Sequence, residues 1–208
     1  MAVMILKNLD KSSEFANFFA KLTACLGDIP RFEQKIQQIA EISGIDLTQF
    51  EIDHLAVRMN SNEIAQQWKK LLLEKGALLK ESEVNGRPIA LITLDQPLNF
   101  CEQQVSIIEL PFPKGKIYNE EGWEHIEIVV PMQKGERIEQ WCKRLDLQFN
   151  LQNNPKLKIK ISQPSVEGER LPNPSIAISI KDETYQNFTC LKLHPYSIRD
   201  IVDSENDL

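Results

Sequence analysis

A histidine preceded by an acid and followed by alternating aliphatic residues occurs twice in this chain, in Ile52-Asp-His-Leu-Ala-Val-Arg-Met59 and in Glu121-Gly-Trp-Glu-His-Ile-Glu-Ile-Val-Val-Pro131. Alternation of this kind, bounded by Gly and Pro, specifies a strand. Aligning the two runs sets His54 against His125, so the chain reads as two copies of one module, each opening on a His-bearing strand. Strands have a period of two. Trp123, His125, Glu127 and Val129 are therefore expected on one face of the second strand, and Glu124, Ile126 and Ile128 on the other.

The rest of the chain fits this frame. Phe15, Phe18, Phe19, Leu22 and Leu26 recur at helical spacing before Gly27, and Phe32, Ile36, Ile39 and Ala40 follow Pro30 and precede Gly44. These patterns predict two amphipathic helices, the first over 10–26, whose apolar stripes belong to the core. They form an N-terminal helical extension, 1–48, ahead of a domain over 49–208. Module one, about 50–112, continues with a helix through Ile64, Trp68, Leu71 and Leu72, an extended stretch over 77–82, the turn Asn85-Gly86, a strand over 89–94 and another over 103–110. Module two, about 120–195, repeats the order, with a helix through Ile138, Trp141, Cys142 and Leu145 and strands over 156–162, 175–181 and 187–194. A loop over 164–174 interrupts it, and a last helix over 197–202 passes into an acidic tail expected to fray.

Composition narrows the partners. A net charge of −6 and a pI near 5.2 argue against nucleic acid or an anionic membrane, both of which select clustered Lys and Arg. The four cysteines, Cys25, Cys101, Cys142 and Cys190, are scattered without a CxxC pair, which suits a reduced, cytoplasmic setting. Neither a signal peptide nor a membrane span is expected.

All three histidines, His54, His125 and His194, fall on strands that begin or end a module. If the modules pack about a pseudo-twofold axis, His54 and His125 face each other across a shared cavity. Glu109, at the end of module one, is a carboxylate on the inward line of an apolar strand and needs a partner. It either joins the two imidazoles or pairs with Arg58 or Arg87. Two imidazoles and a carboxylate form a divalent-metal set compatible with Zn, Fe(II), Mn or Ni. His194 is a candidate fourth ligand or a group behind the ligands. Glu127, on the His125 face, is a candidate to orient an imidazole or to act as a base. Arg58, Arg87 and Arg170 are candidates to hold an anionic substrate. Taken singly, each histidine also fits a hydrogen-bonded core residue.

The stretches Asp53-His-Leu-Ala-Val-Arg58, Asn85-Gly-Arg-Pro-Ile89, Ser106-Ile-Ile-Glu-Leu-Pro111, Glu121-Gly-Trp-Glu-His-Ile-Glu-Ile128, Glu169-Arg-Leu-Pro-Asn-Pro174 and Leu193-His-Pro195 resemble the YecM family, within the vicinal oxygen chelate superfamily. The resemblance implies an α+β fold in which paired βαβββ modules form an open, mixed-sheet barrel around a metal, with ligands on the first and last strands of each module. His54, Glu109 and His125 then occupy three of the four ligand positions. Glyoxalase I and extradiol dioxygenases commonly carry a carboxylate on the last strand, where this chain has Lys192 or His194. The implied function is a metal-dependent enzyme acting on a small molecule with neighbouring oxygens, of isomerase, lyase or oxygenase type. The alternatives are a non-catalytic small-ligand or metal-binding protein, or an interaction module with a vestigial site.

Overall fold

The two His-bearing strands, β1 (Glu51–Arg58) and β5 (Gly122–Val129), lie side by side and antiparallel, and they join the two halves of the molecule. The computed structural model describes residues 2–163, 171–181 and 187–206, with side chains from 13 to 204 of these. After β1 come α3 (Asn62–Leu72), β2 (Gly76–Val84), β3 (Arg87–Phe100) and β4 (Gln103–Pro111). After β5 come α4 (Ile138–Phe149), β6 (Leu157–Ser162), β7 (Ser175–Ile180), β8 (Cys190–His194) and α5 (Ile198–Asn206). The strands form one mixed eight-stranded sheet in the order β2-β3-β4-β1-β5-β8-β7-β6. The first and last strands of each half are parallel, β1 with β4 and β5 with β8. The sheet is open, with β2 and β6 as its edges. This is the α+β, paired βαβββ arrangement that the resemblance implies.

Local chemistry explains the elements. Asn85 and Gly86 take positive φ, 52° and 77°, as a two-residue hairpin turn requires. β3 runs past the expected end at Leu94 to Phe100. Its pairing is irregular between Thr93 and Leu98, where Pro97 is tolerated because a ladder bond is already lost. Ser61 caps α3 by accepting from the Ile64 amide at 3.2 Å, and Trp141 on α4 donates to the Val130 carbonyl at 2.8 Å. α1 (Ala2–Leu26) begins before the predicted residue 10, and α5 carries its helix through 203–206, where a frayed tail is expected. Among the described residues no helix is long and apolar enough to cross a membrane.

The sheet separates two environments. Leu55 and Val57 on β1, Ile108 and Leu110 on β4, Ile126 and Ile128 on β5, and Leu191 and Leu193 on β8 are buried in the main apolar core. Side chains from α1, α2 (Ile29–Ser43), α3 and α4 complete that core. The opposite, concave face carries the polar side chains and lines a cavity of about 640 Å³. α5 closes one side of it with Ile198, Ile201 and Val202.

Two expectations from strand alternation are overturned: Trp123 leaves the His125 face, and Glu124 joins it. Trp123 stacks on Phe32 of α2, ring centroids 5.9 Å apart, and donates to the Gly27 carbonyl at 3.1 Å. The cause is a β-bulge. Between Ala56 and Val57 the partner strand steps from His125 to Trp123, so Glu124 is an extra residue. A second bulge lies between Ile52 and His54, whose partners are the adjacent Ile128 and Glu127, so Asp53 is extra in β1. In each strand the added residue is the acid that precedes the histidine.

Candidate metal centre

Register places the central groups. His54 pairs with Glu127 across β1 and β5, and Ala56 lies between Glu109 on β4 and His125 on β5. Ala56 is fully buried, and its small side chain leaves space for its neighbours. Ligand atoms of His54, Glu109, His125 and Glu127 lie within 4.8 Å of one another. His54 Nε2 is 3.5 Å from Glu127 Oε2 and 3.6 Å from Glu109 Oε2. His125 Nε2 is 3.5 Å from Glu127 Oε1 and 3.8 Å from Glu109 Oε1. Donors about 2.1 Å from one ion at tetrahedral angles are roughly 3.4 Å apart. The histidine–carboxylate spacings of 3.5–3.8 Å are close to that, each carboxylate turning one oxygen to each imidazole, while one atom from each residue gives a wider set, within 4.8 Å.

The other ring nitrogens are occupied. His54 Nδ1 is 2.8 Å from Asp53 Oδ2, and His125 Nδ1 is 3.4 Å from Glu124 Oε2. Such carboxylate partners orient an imidazole and place its free lone pair on Nε2. Both Nε2 atoms are buried without a hydrogen-bond partner among the described residues. The bulges make this possible, because they let consecutive residues, acid and histidine, serve one site. Asp53 Oδ2 also accepts from the Ile198 amide at 2.9 Å, at the start of α5.

Glu127 is held from behind. Lys192 Nζ donates to its Oε1 at 2.8 Å, and His194 Nε2 is 2.8 Å from its Oε2, without the angle of a hydrogen bond. The second nitrogen of His194 is 2.9 Å from Asn173 Oδ1. Charge is tightly coupled here. Burial opposes ionisation of Glu109, but His54, Lys192 and His125 hold its carboxyl at about 2. Glu127 is held well below the usual range, against burial, by His194, Lys192 and His54. Burial lowers His54, yet Glu127, Asp53 and Glu109 together raise it well above its usual value.

Glu109 faces the two imidazoles. Arg58 instead donates to the Phe188 carbonyl at 2.7 Å and the Asn187 carbonyl at 3.3 Å, and Arg87 donates to the Phe112 carbonyl at 3.4 Å. Both arginines line the cavity. Arg170 and most of the loop over 164–174 lie outside the described residues.

The sequence model of the family described as YecM protein matches residues 21–205, both βαβββ halves included. The chain belongs to the YecM family. It is 38% identical over 178 residues to the Protein YecM of Escherichia coli, a match covering 86% of this chain and 90% of that one. It is 51% identical over 183 residues to a Haemophilus influenzae protein, covering 88% and 94%. The solved structure of Protein EC4020 superposes with a TM-score of 0.71 at 35% identity, covering 90% of this chain and 93% of that one.

In this YecM chain the two halves are equivalent in position and different in chemistry. Glu109 stands two residues beyond the strand partner of His54, and Lys192 stands two beyond the strand partner of His125. The last strand of module two thus supplies a cation where module one supplies a carboxylate. Glu127, two residues after His125, brings the second carboxylate from β5 instead. Asp53 and Glu124 mark the repeat in the sequence, but their place beside the imidazoles is not expected from it, although an acid directly before each histidine is the available signal. Asp53→Ala removes both the His54 contact and the cap on α5. It is expected to weaken zinc binding by about 10- to 100-fold and to cost about 1 kcal/mol of stability. Zinc titration calorimetry and urea unfolding of the metal-free protein check the two effects.

Proposed function

We propose that this protein is a divalent-metal-dependent enzyme acting on a small molecule with two neighbouring oxygens, by an isomerase, lyase or oxygenase type of step. The observation that carries the reading is the pair of buried, unpartnered Nε2 atoms on His54 and His125, facing two carboxylates across the join of the modules. His54, Glu109 and His125 are the ligands, with Glu127 as the fourth. His194, whose Nε2 is likewise buried without a hydrogen-bond partner among the described residues and lies 2.8 Å from Glu127 Oε2, is assigned to positioning Glu127, with direct ligation as the alternative. Two nitrogens and two oxygens suit Zn, Fe(II), Mn or Ni. Such an ion, when bound, stabilises negative charge developing on substrate oxygens as a Lewis acid.

The remaining work belongs to the chain. Lys192 compensates the second carboxylate and keeps Glu127 ionised and directed at the imidazoles. Glu127, within 3.5 Å of both imidazoles, is assigned to the ion in this reading, with the role of base as its alternative. Arg58 and Arg87 border the cavity where the rest of a substrate lies.

Protonation gives a signed prediction. His54 in the metal-free protein is raised above its ordinary value, so ion binding must displace a proton. Zinc affinity is expected to rise about tenfold per pH unit for each proton released, as pH increases toward the raised value of His54. Calorimetry in buffers of differing ionisation enthalpy measures this, and a pH-independent affinity contradicts it. The enzyme reading itself is tested by turnover. Protein loaded in turn with Zn, Fe(II), Mn and Ni is assayed against diols, α-keto acids and hemithioacetals, beside His125→Ala. Metal-dependent turnover that the variant loses supports it, and metal binding without turnover of any of them favours a non-catalytic ligand-binding protein.

A further inference from the structure

The cavity is basic in an acidic protein. Among the described residues eight lysine and arginine side chains line it against three carboxylates, while the chain as a whole carries −6. The three carboxylates, Glu109, Glu124 and Glu127, all stand within 3.8 Å of a histidine at the centre. The excess of positive charge therefore lies away from the centre, on the cavity wall. It includes Arg58 at the end of β1, Lys116 in the connection between the modules, and Lys158 and Lys160 on β6.

Arg58 is the most informative of these. It is only 4% exposed, and no carboxylate lies at ion-pair distance from it among the described residues. Its terminal nitrogens are engaged by neutral carbonyls, and its Nε is buried without a partner among the described residues. Glu124, on the same cavity wall, is the carboxylate that feels the charge of Arg58, but a buried guanidinium with no direct ion pair is costly. Aromatic faces fix the group in place. Arg58 Cζ lies 5.2 Å from the centre of the Tyr118 ring, and Lys116 Nζ lies 4.8 Å from Tyr118 and 4.6 Å from Phe188. Lys116 is held below its usual value by burial first, with Glu124 opposing, and then by the charges of Arg58, Lys158 and Lys160. Lysines on an edge strand also discourage edge pairing, but that does not account for Arg58. Lys158 and Lys160 pair with Ser179 and Ala177, residues that line the same cavity.

We propose that Arg58, Lys116, Lys158 and Lys160 form a phosphate subsite, and that the substrate is a phosphorylated small molecule whose oxygen pair reaches the His54/His125 centre. The second clause rests on the metal reading, and the first does not. Four cations from three segments suit a tetrahedral dianion with several acceptor oxygens better than one planar carboxylate. A cavity of about 640 Å³ holds a ligand of metabolite size.

The test is calorimetric titration of metal-free protein with inorganic pyrophosphate and with citrate, in low-salt buffer without phosphate or sulfate. Lys158→Ala/Lys160→Ala is the variant, since both side chains are exposed and their removal leaves packing intact. Saturable 1:1 pyrophosphate binding, at least about tenfold weaker in the variant and tighter than citrate, is the expected result. No saturation by about 10 mM, equal affinity in the variant, or tighter binding of citrate overturns the phosphate subsite. Zinc titration of both proteins keeps the two readings apart. Zinc affinity unchanged in the variant places the phosphate subsite away from the ion. Pyrophosphate binding as expected, in protein that takes no zinc, retains the subsite and removes the metal reading.

Discussion

His125→Ala is expected to lower zinc affinity by at least about 100-fold, on the order of 3 kcal/mol, while the metal-free variant stays folded. The loss is large because His125 supplies one of two ring nitrogens at the centre, and the Nδ1 contact with Glu124 orients that nitrogen. The fold survives because the ring faces the cavity, where water fills the space it leaves, and not the apolar core behind the sheet. Zinc titration and circular dichroism measure the two properties. Unfolding of the variant with no change in metal content per folded molecule would instead make His125 a core histidine.

Gly122→Ala is expected to destabilise the protein by about 3 kcal/mol. Gly122 has φ +123°, and an added Cβ would lie 2.2 Å from the Leu26 carbonyl oxygen at the end of α1. Backbone cannot yield there as a flexible side chain can. The position also begins the stretch in which Trp123 turns toward the helices and Glu124 toward the cavity, so the strain reaches the bulge that orients His125. Gly44→Ala is the contrast. It too has positive φ, 68°, but nothing lies within 4 Å of an added Cβ, and about 1 kcal/mol is expected. Urea midpoints compare the two. Equal shifts would mean that α1 gives way freely and that its end is not packed on β5 as described.

The two modules were legible because hydrophobic alternation and helical stripes are local properties, and the His54 and His125 runs carry both. The face of Trp123 was not. Alternation assumes an unbroken ladder, and a bulge adds one residue without leaving a mark in composition. The same limit hid Asp53 and Glu124, which alternation sends to the face away from their histidines. Long-range register decided the rest. Glu127 stood on the right face in the sequence, but its closeness to His54, Lys192 and His194 follows from the pairing of β5 with β1 and β8. The basic wall was invisible for a different reason, since Arg58, Lys116 and Lys158 are far apart in the chain and the net charge has the opposite sign.

One divalent ion is expected between His54 and His125. Protein purified without an affinity tag or chelator, then reconstituted with zinc, should contain about one equivalent by elemental analysis. Crystals of it should show an anomalous peak about 2.0–2.2 Å from Nε2 of both histidines and from Glu109 and Glu127 oxygens. His54→Ala/His125→Ala should show neither. No metal after reconstitution with Zn, Fe(II), Mn or Ni, or a peak elsewhere in the molecule, would contradict the account.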